Sequence, residues 1–363
     1  MAESRPTMST VARAAGVSPM TVSNAYNRPD QISAGTRARV LKVAADLGYA
    51  GPSPAGRSLR RGRSGTVGLL LADELPYAFA DPGMLTFLHG MATELAAAGQ
   101  ALLVIPAGSD PDHAVLRSAI VDALVLRAMS ADDPAIAAAR ERHVPLVIGG
   151  GPRVAGIPFV GIDNARSAVQ AADHLLGLGH TRFGVVTVPA GDRAAGVPPR
   201  PGLHERRRGF VEALRRAGIA ADQIQVVEAA DNVRAAGQAA GATLLEGPAA
   251  RRPTAVFAVT DVLAFGVLDA ASQVGLDVPG RVSVVGFDDV DEAARTRPPL
   301  TTVSHLLFEQ GRAAVRVVLA AVDGRVVRPD RLAPHLVVRA STGPPPGRRG
   351  AVAATARHRG AGS

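Results

Sequence analysis

Between Ser18 and Asn27 the chain reads SPMTVSNAYN, and most of its polar groups are short: Thr21, Ser23, Asn24 and Asn27. Hydroxyls and amides of this size form hydrogen bonds at close range. That is the chemistry needed to read base edges in the major groove of DNA. Ala12, Val17 and Val22 are small enough to pack where two helices cross, and nearby arginines suit phosphates. A small surface helical bundle without a ligand would show a similar pattern.

Catalytic signatures are missing. After the first apolar run, TVGLLLA, comes Asp73-Glu74-Leu75-Pro76, where a dinucleotide site needs G-x-G-x-x-G. GGGP at 149–152 has neither the spacing nor a following helix, and no P-loop occurs; Lys42, the sole lysine, lies near the start. The nine histidines lack metal-ligand spacing, so neither metal nor cofactor is expected. No G-x-S-x-G elbow is present, and the lone His305 in SHLL reads as part of a surface helix. The chain is not expected to be an enzyme.

Three short helices must position the polar stretch. The first spans about Met8–Ala15, with Thr7 as its cap, and Gly16-Val17 makes a turn. Ser18 caps the second, with Pro19 at its first position, a strong start signal. Ser33 caps a third that carries Val40, Val43, Ala44 and Leu47 at helical spacing and ends at Gly48. Helix, tight turn and polar second helix make a helix-turn-helix pattern.

Charge is segregated. Residues 1–64 carry ten Lys/Arg against three acids, and 341–363 carry four arginines and no acid, while the whole chain is only +8. A basic head on a slightly acidic body points to a polyanion partner. Cysteine is absent, which suits a reducing compartment. Met1–Ser9 has no apolar signal region, and no run of about 18 apolar residues occurs. Cytoplasmic location beside the nucleoid, with no membrane partner, is the expectation.

Residues 51–65 are rich in Pro, Gly, Ser and Arg, as linkers are, although 54–60 would make one or two helical turns. From Thr66 onward short apolar runs alternate with helical stretches at 83–98, 164–178, 203–217, 231–246, 261–274 and 304–323. Fully apolar strands separated by helices indicate parallel sheets covered on both faces. About ten strands suit two doubly wound sheets, with a ligand cleft at their carboxyl ends.

The stretch 7–27, TMSTVARAAGVSPMTVSNAYN, resembles the head of the lactose-repressor (LacI/GalR-type) transcription factors. Residues 32–49, 161–186, 256–290 and 297–315 continue the resemblance to about Ala340. It implies a helix-turn-helix head (1–52), a linker or hinge helix (53–65) and a periplasmic-binding-protein-like body of two subdomains. These are 66–163 with 299–325, and 164–298 with 326–340; 341–363 is expected to be a disordered tail. Chain crossings between subdomains are expected near 161–164, 298–302 and 323–332. The implied function is a ligand-responsive regulator, a repressor binding a palindromic operator as a homodimer or a tetramer and sensing a small sugar-like metabolite.

Carried over by position, Ser18, Pro19, Met20, Thr21, Ser23, Asn24 and Asn27 face DNA. Thr7, Ser33, Thr36 and Tyr49 match phosphate-contacting positions, and Leu59 matches the leucine that wedges into the minor groove. In the body the resemblance nominates Arg206 and Asp288 as hydrogen-bonding anchors and Tyr77 and Phe79 as an aromatic wall. Asp163 is a further ligand candidate or a helix cap. Thr260 stands where the family often has an amide. A free-standing solute-binding protein is one rival, against which the missing signal region and the basic head argue; a DNA-binding activator is another, since operator position decides between activator and repressor.

Asn24 stands where arginine is usual in the family. Asn pairs with adenine N6/N7, whereas Arg favours guanine O6/N7. Selection of binding sites from random DNA is expected to return different bases at one half-site position for the natural chain and for Asn24→Arg.

Overall fold

The structure, a computed structural model, describes residues 6–51, 62–72, 75–107, 112–189, 191, 200–329 and 331–347. The chain folds as two units, Met1–Gly65 and Thr66–Ser363. The expected linker helix, including Leu59, lies outside the described residues.

In the first unit α1 (Met8–Ala15), α2 (Pro19–Asn27) and α3 (Ala34–Asp46) each begin on a side-chain cap. The hydroxyls of Thr7, Ser18 and Ser33 accept the N–H of Thr10, Thr21 and Thr36 at 3.2, 3.1 and 3.2 Å. Such a cap contributes about 1 kcal/mol. Gly16 takes the left-handed conformation, φ 62°, that ends α1 tightly. The core is built from Val11, Ala12, Ala15, Val22, Ala25, Val40 and Ala44, side chains short enough for close helix crossing.

The body holds two sheets. β1 (Thr66–Leu71), β2 (Ala101–Pro106), β3 (Ala123–Arg127), β4 (Leu146–Gly149) and β5 (Phe159–Val160) are all parallel, in the order β2-β1-β3-β4-β5. Alternate residues serve opposite faces. Val67, Leu69 and Leu71 join one apolar cluster, while Leu70 joins another with Ile105, Leu124 and Ile148. Two buried faces explain why these strands read as unbroken apolar runs. The second sheet is ordered β11-β10-β9-β8-β6-β7. Its strands are β6 (Phe183–Thr187), β7 (Ile224–Glu228), β8 (Ala255–Ala258), β9 (Ser283–Asp288), β10 (Thr301–Ser304) and β11 (His335–Val337). Only β11 among them is antiparallel.

The covering helices are α4 (Leu75–Ala78), α5 (Pro82–Ala97), α6 (Ala114–Ser118), α7 (Pro134–Glu141) and α8 (Asn164–Leu178). They continue with α9 (Pro201–Arg216), α10 (Arg234–Leu245), α11 (Asp261–Gln273) and α12 (Leu307–Val322). Among the described residues no helix is long and apolar enough to cross a membrane.

Three differences from the sequence reading have physical causes. β10 is a strand of the second sheet, so the chain crosses at His305-Leu306 rather than at 298–302, and only α12 returns to the first lobe. Its residues TTVS make no apolar run; Thr302 is nevertheless buried, its hydroxyl donating to Asp261 Oδ1 at 2.5 Å. The expected helix 304–323 accordingly starts at Leu307. Finally, residues 341–343 are built into the body, not a free tail. Ser341 is fully buried, accepting from Thr301 N–H (2.8 Å) and donating to Val284 O (2.6 Å), while Gly343 pairs with Ser283 and His180. Hydroxyl and backbone bonds hold this segment, which no hydrophobic pattern announces.

Gly266 marks the close crossing of α10 and α11: a Cβ there would collide with the backbone at Arg234 and Gln238. Gly266→Ala is expected to destabilise the body by about 2 kcal/mol. Gly177, helical with open space around it, is the contrasting site; Gly177→Ala is expected to stabilise by about 0.5–1 kcal/mol. Urea unfolding of both variants checks the pair.

Candidate functional site

On α2 the exposed and half-exposed residues are Pro19, Met20, Thr21, Asn24, Tyr26 and Asn27. Met20 is 66% exposed. The Asn24 amide makes no hydrogen bond among the described residues. Ser23 departs from its expected DNA-facing position. It is buried in the head, with the Asn27 amide donating to its carbonyl at 3.0 Å. At 100° per residue Ser23 follows Val22 toward the core. Thr7, Ser33 and Thr36 stand at helix N-termini, where backbone N–H groups favour phosphate oxygens. Tyr49 packs edge-on to Tyr26, ring centroids 6.2 Å apart.

In the body a cavity of about 130 Å³ lies between the sheets, lined by both lobes. It sits at the carboxyl ends of the strands because Arg127 closes β3, Thr260 follows β8 and Asp288 closes β9. Backbone strain collects here: Ala128, Asp288 and Leu306 have φ of 57°, 133° and 55°.

Arg206 is the centre of the cavity's hydrogen bonding and is 4% exposed. Its Nε donates to Asn164 Oδ1 (3.0 Å), Nη1 to Val259 O (2.8 Å) and Asp288 Oδ1 (2.9 Å), and Nη2 faces His305 Nδ1 at 2.8 Å. The guanidinium lies 3.8 Å above the Phe287 ring. Burial, the largest single influence, would raise the Asp288 carboxyl, but the charge and hydrogen bond of Arg206 together with the contact to His305 hold the group below its usual value. Burial first, then Arg206, lowers His305 to about 4. Fully buried Asp261 is raised to about 7, by burial and then by Asp288.

A second set of bonds joins the lobes across the cavity. Asn232 Nδ2 donates to Tyr77 OH (2.9 Å) and Asp81 Oδ2 (3.3 Å), while Thr260 Oγ1 donates to Asn232 Oδ1 (2.6 Å). Tyr77 OH also donates to Asp81 Oδ2 (2.8 Å), and Arg200 stacks on its ring at 4.4 Å.

Of the expected ligand residues, Tyr77, Arg206, Thr260 and Asp288 converge on the cavity. Phe79 does not line it and is 56% exposed. Asp163 is an exposed helix cap whose Oδ1 accepts Arg166 N–H at 2.9 Å, and its neighbour Asn164 lines the cavity instead. Sequence reasoning missed Asp81, Arg127, Asn164, Arg200, Asn232 and His305. Arg127, a charge ending an apolar strand, was the detectable signal. His305 corrects the surface-helix reading: it is 7% exposed, in the step from β10 to α12. Among the described residues no group of three or more His, Asp or Glu is placed to hold a metal ion.

Residues 7–51 match the family described as bacterial regulatory proteins, lacI family, and residues 172–342 match a periplasmic binding protein-like domain. The transcriptional regulator IpsA of Corynebacterium glutamicum is 37% identical over 343 residues, covering 89% of this chain and 93% of IpsA. This chain belongs to the lacI family. The transcriptional repressor CytR of Escherichia coli is 34% identical, covering 90% of this chain and 92% of CytR. The solved complex of the regulator CelR with cellobiose is similar in fold, with a TM-score of 0.64 and 30% identity over 93% of this chain and all of that one. These lacI-family relatives are transcriptional regulators, not enzymes.

Stability should depend on His305 with a definite sign. Its folded-state value, about 4, lies below the unfolded value near 6.5, so the unfolded chain takes up the proton first. The stability it contributes is complete above pH ~6.5 and is lost as pH falls toward 4. Asp261, raised, slopes the opposite way. The difference in urea midpoint between the natural chain and His305→Gln is therefore the readout; it is expected to shrink over that window as pH falls.

Proposed function

We propose that the chain is a repressor that binds a palindromic operator as a homodimer and senses a small, sugar-like metabolite in the cavity of its body. The observation that carries this reading is the convergence of Arg206, Asp288, Asn164 and Asn232 on one cavity between two lobes. Opposed donors and acceptors of this kind fit a hydroxyl-rich ligand. CelR, whose complex with cellobiose shares the fold, and the repressor CytR support the class of effector and the sense of regulation. In the head, exposed Met20 and half-exposed Thr21 and Asn24 lie on one helix suited to the major groove. Two copies of the head reading two half-sites would match a palindrome. The compartment is that of the DNA, the cytoplasm.

Fluorescence anisotropy on palindromic DNA from upstream of the chain's own gene, with and without candidate sugars, tests the reading. Removing residues 1–65 is expected to weaken specific binding about 10³-fold or more. Tight binding by the remaining body would overturn it. Arg206→Ala should keep operator binding and lose the sugar response. The double change Arg206→Ala with Asp288→Ala removes both charges, so that an unpaired buried carboxylate cannot be mistaken for a lost contact.

A further inference from the structure

The second sheet has two ends, and its carboxyl end meets the cavity. At the opposite, amino end four strands start level: Ser283, Ala255, Phe183 and Ile224 pair across β9, β8, β6 and β7. The segments that lead into them are 274–282, 246–254, 179–182 and 215–223. They carry six arginines, Arg182, Arg215, Arg216, Arg251, Arg252 and Arg281, against the acids Asp222, Glu246 and Asp277. The body as a whole is slightly acidic, so positive charge is gathered at this end.

Hydrogen bonds tie the segments to one another. Arg182 Nε donates to Arg252 O at 3.0 Å, Arg252 Nη2 to Gly247 O at 2.7 Å and Gln225 Nε2 to Arg251 O at 2.7 Å. Carbonyls, not carboxylates, accept these bonds. Among the described residues none of the six arginines is paired with an acid, and Arg215, Arg216, Arg251 and Arg281 are exposed. Toward the cavity the arginines of this lobe are neutralised instead: Arg200 by Asp231, Arg206 by Asp288, and Arg234 by Asp269 and Glu292. A general richness in arginine would not sort paired from unpaired charge by location. The chain also leaves the body at the amino end. Gly343 bonds to Ser283 and His180, and Arg348, Arg349, Arg357 and Arg359 follow in the sequence without an acid.

Three strand spacings of about 4.8 Å make a row of roughly 14 Å, the rise of about four base pairs. The four segments hold no aromatic residue, the anchor that protein interfaces and membrane-surface segments favour. Positive charge without such anchors matches the phosphates of a duplex, which are bound whatever the base sequence. We propose that the amino end of the second sheet is a second, sequence-blind DNA contact, separate from the head, that takes the phosphates of another stretch of duplex while the head holds its operator. The inference rests on the operator reading of the head. A protein held on DNA by its head meets further duplex at high local concentration, so weak contacts suffice.

Full-length protein held on beads by the palindromic duplex from upstream of its gene is offered a labelled duplex of unrelated sequence. The natural chain should capture it. A variant carrying Arg215→Ala, Arg216→Ala, Arg251→Ala and Arg281→Ala should capture it about tenfold or more weakly, with its hold on the palindrome unchanged. Equal capture by the two proteins, or none by the natural chain, defeats the proposal. Capture that prefers the palindrome over unrelated sequence would come from further heads and defeats it too. Truncation after Gly347 should weaken capture further; capture lost on truncation yet indifferent to the four changes would put the contact in residues 348–363 instead. Vesicles of phosphatidylserine and phosphatidylcholine that bind through the four arginines, without capture of duplex, would assign this end to a membrane. Failure of the palindrome to hold the protein would sink the operator reading itself. The second contact is then read from the labelled duplex and free protein in solution, where the four changes should flatten the slope of log K against log salt by about 3–4, and an unchanged slope would refute it.

Discussion

The body turns on one buried guanidinium. Arg206 reaches from α9 and is 4% exposed, so its charge survives only with a counter-ion and with acceptors placed around it. Those partners come from four separate segments: Asn164 at the start of α8, Val259 after β8, Asp288 at the end of β9 and His305 before α12. One side chain thereby holds the strand ends of the second sheet to the link into the first. Losing one partner of such a buried pair costs about 3–5 kcal/mol, because the other charge stays behind. The same fork accounts for the unusual backbone at Asp288, φ 133°: strain persists where the surroundings over-determine a conformation.

Across the cavity the lobes are joined by hydrogen bonds from Asn232 to Tyr77 and Asp81 and by the stacking of Arg200 on the Tyr77 ring. Away from bulk solvent such bonds are strengthened, and each also becomes a point where a ligand oxygen competes. An effector shifts the arrangement only through its difference in affinity for two states of the lobes. Bonds that a hydroxyl replaces one for one keep that difference small. Thr260 fits the same logic. It stands where the family often has an amide, and its hydroxyl instead orients the amide of Asn232 beside the cavity.

Much of the fold was legible because the strands are buried on both faces and so read as apolar runs. The elements that escaped are those held by hydroxyls. β10 is TTVS, its threonines satisfied by Asp261 and by the 339–342 segment, and Ser341 stands in for a strand partner. Hydropathy is blind to buried polar residues whose partners lie far along the chain. The cavity was half legible for the same reason. Arg206 and Asp288 follow from a resemblance to a family, but Asn164, Asn232 and His305 are set by which loops meet. Phe79 failed because an aromatic near a strand end carries no information about which side of its turn it faces.

In the head, Met20 and Asn24, which the proposed reading assigns to DNA, stand apart from the atoms that hold the fold. Its core has nothing larger than valine among its fully buried side chains, so the caps at Thr7, Ser18 and Ser33 carry a sizeable share of its stability. Ser23 and Asn27 bond to each other and belong to the fold. Met20 is exposed, and the Asn24 amide bonds to nothing among the described residues. Replacing these two leaves caps and core untouched. In the proposed reading, sequence preference therefore falls at positions where stability does not constrain the choice of residue. That separation lets an asparagine occupy position 24 in a head otherwise built to the family's pattern.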